Sequence, residues 1–187
     1  MARKGEVGLR RGEVKIVAHN PKWAQYFRKE KQLLFKILGE NVLDIRHIGS
    51  TSIPGLPAKP ILDILAAVKT LAAVDTFTQD LNTIGYEDKG DGGVPGRRFF
   101  VKGSEAKRTH HLNFCEMDGF FWRGHLAFRD YLELHPGIAK EYSALKRELA
   151  DRFPNDRGAY TAGKEDFVRS ILVRVMNRTR TAPSDNE

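Results

Sequence analysis

The chain has 187 residues, 41% of them hydrophobic and 10% aromatic, and a net charge of +7. That composition suits one globular domain with a real core. It excludes a bilayer span, because the longest apolar run, around Ile61 to Val68, is short and broken by Asp63. It also excludes an intrachain disulfide, because Cys115 has no second cysteine to pair with.

The basic first residues are not followed by an apolar stretch, so they do not read as a signal peptide, and the cysteine usage fits a reducing cytoplasm. Arg3, Lys4, Arg10 and Arg11 crowd the first twelve residues, and Arg169, Arg174, Arg178 and Arg180 crowd the last helical stretch. The positive charge therefore sits at the ends. Residues 1–12 are expected to form a basic flexible segment, 13–178 a single domain and 179–187 a disordered tail.

In chain order, Val14 and Ile16 alternate with Lys15 and predict a short strand. Asn20-Pro21 opens a helix with Trp23, Phe27, Leu34, Ile37 and Leu38 on one face, stopped at Gly39. "VLDIRHI" predicts a strand, and after a Gly-Ser-Pro loop "PILDILAAV" predicts a second, apolar on both sides and so central in a sheet. Leu71, Val74, Phe77 and Leu81 are spaced for one helix, closed by Gly85. The glycine-rich "DKGDGGVPG" predicts a loop, and "RRFFVKG" and "THHLNFCE" a hairpin turning at "SEAKR". Three helices follow, one ending before Pro136, one before Pro154 and one over "AYTAGKEDFVRSILVRVM". The fold class is α+β: a mixed sheet with helices mainly on one face and a helical C-terminal third.

Strand alternation sorts the polar residues. Asp63 lies on the face opposite Leu62 and Ile64. If Leu112 and Phe114 face the helices, His111, Asn113 and Cys115 join Asp63 on the uncovered face. In the neighbouring strand Arg98 and Lys102 alternate with Phe99 and Val101, and the charged set is expected to look into the same cleft. One carboxylate, one imidazole, one amide and two cations suit a phosphate-bearing or carboxylate-bearing ligand. Plainer readings stand beside this. Asp63 can be a structural ion pair with Arg98 or Lys59, His110 and His111 a simple strand pair, and Arg97 and Arg98 surface charge. His125 and Arg129, four apart on a helix, can serve local pairing. Gly49 and Gly55 can be mere turn residues in a loop stiffened by Pro54, Pro57 and Pro60. A Walker A loop and a Gly-x-Gly-x-x-Gly fingerprint are both missing, and no zinc-ligand spacing is present.

The segments "HIGSTSIPGLPAKPILDI", "GVPGRRFF", "RTHHLNF", "HLAFRDYL" and "EYSALKRELA" follow one another. Together, over about residues 13–175, they resemble the bacterial GrpB family, also called UPF0157, which is similar to the nucleotidyltransferase superfamily of polymerase-beta type. The resemblance implies a Gly-Ser turn at Gly49 and Ser50 that binds nucleotide phosphates; beside it, Thr51, Lys59, Arg98 and Lys102 are the residues expected to help hold the phosphate. It implies further that Asp63 is the second of two metal-binding carboxylates, with His47, His110 and Asn113 nearby. The first carboxylate falls at Ile61, which cannot bind metal, and His111 and Asn113 stand where a later strand carries an acid. Many GrpB relatives read His-His-Leu-His there, and Asn113 departs from that. Two Mg2+ ions are not supported by these residues; a single Mg2+ or Mn2+ on Asp63, with His111, is the remaining metal expectation.

A binding protein for a nucleotide or other phosphate-bearing metabolite, with degenerate catalytic carboxylates, is the expected function. The alternatives are an active metal-dependent nucleotidyl or phosphoryl transferase acting on a small acceptor, and a nucleic-acid partner working through the basic ends. The last has no RRM, KH or helix-turn-helix signature behind it. The sequence leaves the oligomeric state open.

Overall fold

A computed structural model describes residues 7–181, with side chains to 176, and among these residues six α-helices and five strands form the main elements. Residues 1–6 and 182–187, most of the two expected tails, lie outside the described residues. In chain order the elements are α1 (Lys22–Leu38), β1 (Asp44–Ile48), β2 (Leu62–Val68), α2 (Thr78–Thr83), β3 (Tyr86–Asp88), β4 (Arg98–Ser104) and β5 (Lys107–Glu116). Four helices follow: α3 (Phe120–Leu134), α4 (Pro136–Arg152), α5 (Arg157–Ala162) and α6 (Glu165–Thr181). The fold class is α+β, as the sequence implies.

The five strands form one sheet in the order β1-β2-β5-β4-β3. β2 and β5 pair in parallel and the other neighbours pair antiparallel. The parallel pair is central, which explains why β2 is apolar on both sides. Leu34 and Leu38 of α1, together with Phe77 and Leu81 from the segment before and within α2, cover Ile64, Ala66, Phe100, Leu112 and Phe114. The face carrying Asp63 is not bare as expected. Trp122 of α3, with Phe121 and Leu126, covers Leu65, Ala67 and Cys115. α3 therefore roofs the C-terminal half of β2 and leaves the N-terminal half, where Asp63 lies, as the floor of a cleft.

Several expectations change at the level of elements. Residues 14–17 are not a strand. Only Val17 makes a β-bridge, to Ala58, while Val14 is drawn instead into a cluster with Leu149, Ala150 and Tyr160. The stretch Leu71–Phe77 is a 3-10 helix, with α-helix only from Thr78. The short β3 occupies part of the predicted loop, and the long last helix is split at Gly163. The described part of the N-terminal segment, residues 7–12, is laid along the sheet: Gly8 N–H donates to Pro60 O at 2.7 Å, and Leu9 bridges Arg108 through two backbone bonds of 3.0 and 2.8 Å. This arm takes the place beside β5 that β2 does not reach. At the other end, α6 runs through residues 179–181.

The β4–β5 hairpin carries a bulge. His110 is paired with Lys102 but Arg108 with Gly103, so Thr109 is an extra residue on β5. Gly103 sits at φ +98°, and a β-carbon there would fall 2.2 Å from the Lys107 carbonyl oxygen. Gly103→Ala is expected to destabilise the protein by at least the ~1–3 kcal/mol of a strained backbone position. Gly137→Ala, in α4 with open space around it, should be neutral or slightly stabilising. Urea unfolding of the two variants checks the contrast.

Candidate functional site

β1 ends at Ile48, and the chain turns at Gly49 with φ +68° and ψ −176°, a region in which side chains are essentially not tolerated. The turn brings the backbone against β2: a β-carbon at Gly49 would lie 2.6 Å from Asp63 Oδ2. Residues Ser50–Ser52 then make one 3-10 turn, and the Ser52 hydroxyl donates to the Gly49 carbonyl at 2.6 Å. From below, His47 Nε2 meets Thr51 Oγ1 at 3.0 Å. From above, Lys146 of α4 reaches Ser50 Oγ at 2.9 Å and donates to the Pro57 carbonyl at 2.5 Å. Ile53 and Leu56 anchor the loop among Leu132 and Tyr142. The loop is thus held by apolar packing and by a cation tied to its first serine.

Asp63 faces this turn. Its Oδ1 accepts from His111 Nδ1 at 2.8 Å across the parallel β2–β5 pair, and 37% of the Asp63 side chain stays open to the cleft. Burial opposes ionisation of Asp63, but the hydrogen bond from His111 and the charges of Lys59 and Arg157 outweigh it and hold the carboxyl below its usual range. Burial dominates at His111 and keeps the imidazole neutral despite Asp63. The pair is therefore a neutral histidine donating to a carboxylate. His111 Nε2 is buried with no partner among the described residues.

Cations surround this carboxylate. Lys59 and Lys164 both lie over the Tyr160 ring, at 5.0 and 4.5 Å. Burial, with Arg157 and Lys164 nearby, lowers Lys59 to about 8. Burial, with Lys164, Arg147 and Lys59, lowers Lys146 to about 7, and Lys146 is only 2% exposed. Arg97 closes the far side. It donates to Asn113 Oδ1 at 3.0 Å, to the Asp91 carbonyl at 2.7 Å, and stacks over Phe99 at 4.5 Å. A recess with one carboxylate and this many crowded cations is electrostatically incomplete without an anion.

The expected residues divide. Gly49, Ser50, Lys59, Asp63, His111 and Asn113 come together as read. Arg98 and Lys102 do not: Phe100 between them is drawn into the α1/α2 core, and alternation carries both along with it. Arg98 pairs with Asp88 at 2.6 Å and Asp75 at 3.1 Å, and Lys102 pairs with Glu30 at 2.7 Å. His110 shares that far side, 3.9 Å from Glu30. His47 also lies there, stacked on Phe27 of α1 at 4.7 Å, and Thr51 is buried with its hydroxyl engaged by His47; both support the loop from behind. His125 bonds its own helix at the Phe121 carbonyl, while Arg129 donates to the His47 carbonyl at 3.0 Å and pairs with Asp130. The structure adds Arg97, Lys146, Arg157 and Lys164. Arg97 was legible: it has the parity of Phe99 and Val101. The other three come from distant helices and carried no local signal.

The donor set does not fit two protein-held metal ions. Ile61 is buried and apolar, and no group of three His, Cys, Asp or Glu converges among the described residues. What the described residues offer is one carboxylate oxygen of Asp63 and the buried, unpartnered Nε2 of His111.

In sequence and fold the chain is similar to known proteins. A family model described as GrpB protein matches residues 13–174. Glutamate-rich protein GrpB of Alkalihalophilus pseudofirmus is 42% identical over 170 residues, covering 89% of this chain and 98% of that protein. UPF0157 protein YqkA of Bacillus subtilis is 44% identical over 158 residues, 84% of this chain, and the chain spans about half of YqkA, 46% of its length. The crystal structure of conserved protein GrpB from Enterococcus faecalis superposes with a TM-score of 0.82 at 39% identity, over 88% of this chain and 99% of that one. Cid1 poly(U) polymerase with Mg 3'-dATP bound gives a TM-score of 0.54 at 15% identity over 79% of this chain and 49% of its own; this likeness is one of fold, nucleotidyltransferase-like. No helix among the described residues is long and apolar enough to cross a membrane.

Two tests follow from the geometry. Gly49→Ala should destabilise by about 1–3 kcal/mol and displace Asp63, read as loss of the His111 Nδ1–H signal in NMR. Burial holds His47 and His110 at about 4. The unfolded chain takes up protons on these histidines below about 6.5 while the fold does not, so stability should fall from pH 6.5 to 4 by on the order of a few kcal/mol. Urea midpoints across that window measure it, and His110→Gln should flatten the slope.

Proposed function

The chain belongs to the GrpB family, and from that premise we propose that its cleft binds a nucleotide or another phosphate-bearing metabolite, without two-metal catalysis. The observation that carries the reading is Lys146: an ammonium 2% exposed, bonded to the serine of the Gly-Ser turn, in a recess it shares with Lys59 and Lys164. Burying cations beside one another is costly unless an anion compensates. A phosphate placed against the Ser50 hydroxyl and Lys146, which already touch at 2.9 Å, meets a hydroxyl and an ammonium at once, and Lys59 and Lys164 answer its remaining charge.

Asp63 has a distinct part. Its negative charge repels a bare phosphate, and a divalent ion carried by a nucleotide converts that repulsion into a bridge from the carboxylate oxygen to the phosphate. Mg2+ or Mn2+ therefore accompanies the ligand in this proposal rather than residing in the protein. The fold neighbours include Cid1 structures solved with magnesium nucleotides, MgGTP among them. They lend the fold, and the cations of this chain lend the argument.

Nucleoside triphosphates and pyrophosphate should raise the melting temperature. Lys146→Met should weaken them about tenfold to hundredfold, the loss of one charge-assisted hydrogen bond. Asp63→Asn should abolish only the additional shift given by Mn2+. No shift with any triphosphate or with pyrophosphate, with or without metal, rules the reading out. Because an anion favours the charged forms of Lys146 and Lys59, held at about 7 and about 8 in the free protein, binding takes up protons. Affinity should fall as pH rises from 7 to 9, checked by calorimetry in buffers of different ionisation enthalpy.

A further inference from the structure

The floor of the cleft continues past Asp63 toward the start of β2. There Ile61, Phe99 and Val101 form an apolar patch at the bottom of a second cavity of about 230 Å3. Its walls bring six cations from five parts of the chain, Arg10, Arg11, Lys59, Lys89, Arg108 and Arg157, against the single carboxylate of Glu13. Three of the six are answered at the surface: Arg11 by Glu105 at 3.0 Å, Lys89 by Glu87, and Arg108 only loosely, Nη2 lying 3.5 Å from Glu105. Arg10, Lys59 and Arg157 make no ion pair among the described residues.

Arg108 is the telling member. It is 5% exposed, and its Nη1 is buried with no hydrogen-bond partner among the described residues. A buried guanidinium nitrogen left unanswered is costly, and such groups are rare. Two features of the backbone put it there. The extra residue at Thr109 reverses the alternation of β5, so that Arg108 lines the cavity on the face of His111 rather than following His110 into the α1 side. The N-terminal arm pairs through Leu9 with Arg108 itself and, turning at residues 10–13, lays Arg10 and Arg11 over the cavity wall. The position where the family resemblance expects a first metal carboxylate is Ile61 and is part of the apolar floor. In place of the expected acid the chain presents an apolar surface beside which a second anion can approach.

We propose that this cavity is a second anion subsite, taking a small phosphate-bearing molecule beside the ligand held at Ser50. The volume admits a phosphate group on a short carbon skeleton and lies below the ~300–1,000 Å3 of an ordinary ligand pocket, so a second nucleotide does not fit. Arg108 and Arg157 supply the planar forks that suit phosphate, Arg10 closes over the outer oxygens, and the carbon skeleton lies on Ile61 and Phe99. Lys59 and Arg157 line this cavity and also act on Asp63, so they stand between the two subsites. That the second molecule is the partner of a nucleotide, as its acceptor or co-ligand, rests on the reading given above; the subsite itself does not.

The test is calorimetric titration of inorganic phosphate onto the full chain at low salt, with Arg108→Gln, Arg10→Glu and Lys146→Met as variants. The exposed Arg10 can be reversed without touching the core, which covers the case in which Arg108→Gln does not melt cooperatively. The wild type should take up two equivalents. Arg108→Gln and Arg10→Glu should weaken one of them about tenfold or more and spare the other, and Lys146→Met should do the converse. One equivalent abolished by the Arg108 and Arg10 variants supports the subsite, and if pyrophosphate with Mn2+ then adds no second equivalent, the reading at Ser50 falls. One equivalent lost only in Lys146→Met does the reverse, and binding unaffected by either arginine change, or no binding, overturns the subsite.

Discussion

The hydrogen bond from His111 to Asp63 is the interaction on which the rest of the cleft is arranged. It fixes a carboxylate between two parallel strands, and the missing side chain of Gly49 lets the turn close down on its other oxygen. The imidazole stays neutral and the carboxylate ionised, so the pair places one unit of negative charge at the floor of the cleft. Every cation that converges there is positioned relative to that charge. A single carboxylate neutralises one of them and leaves the remainder in excess.

The excess is distributed with some economy. Lys146 comes from α4 and addresses the Gly-Ser turn, while Lys164, in the turn between α5 and α6, lies over Tyr160. Arg108 and the N-terminal arm address the other side. Tyr160 serves as a shared apolar platform that keeps Lys59 and Lys164 within reach of both Asp63 and each other. The helical third therefore does more than fill the core: α4 ties the turn through Lys146, and α5 brings Arg157. α3 roofs the apolar half of the same sheet face, and the boundary of that roof defines the cleft.

Much of this was legible in the sequence. The central place of β2, the opposite parity of Asp63 and Leu62, and the shared face of His111 and Asn113 follow from composition and alternation; that β2 and β5 are neighbours was a condition of bringing them together, and the parallel pairing meets it. The family followed from five ordered segments. Arg98 and Lys102 were misplaced because charge was allowed to decide the parity of β4, whereas burial of Phe100 decides it; an apolar residue in the middle of a strand binds its neighbours at ±2 to the same side. The arm at residues 7–12 looked like a solvated tail because its pairing with Arg108 is a backbone matter invisible in side-chain pattern. The bulge at Thr109 has the same origin, and with it goes the cavity. Lys146, Arg157 and Lys164 were illegible for a different reason: on amphipathic helices a lysine at the edge of the apolar stripe reads as surface until the partner loop is in place.

The central claim is that a phosphate-bearing ligand belongs against Ser50 and Lys146. NMR titration of the lysine ε-amino groups, with Lys146 assigned through Lys146→Met and repeated with pyrophosphate, tests it most directly. The account predicts that Lys146 of the free protein titrates at about 7 and moves upward when pyrophosphate binds. A Lys146 that titrates near its ordinary value of about 10.4, or one that stays where it is at saturating pyrophosphate and nucleoside triphosphate, contradicts it.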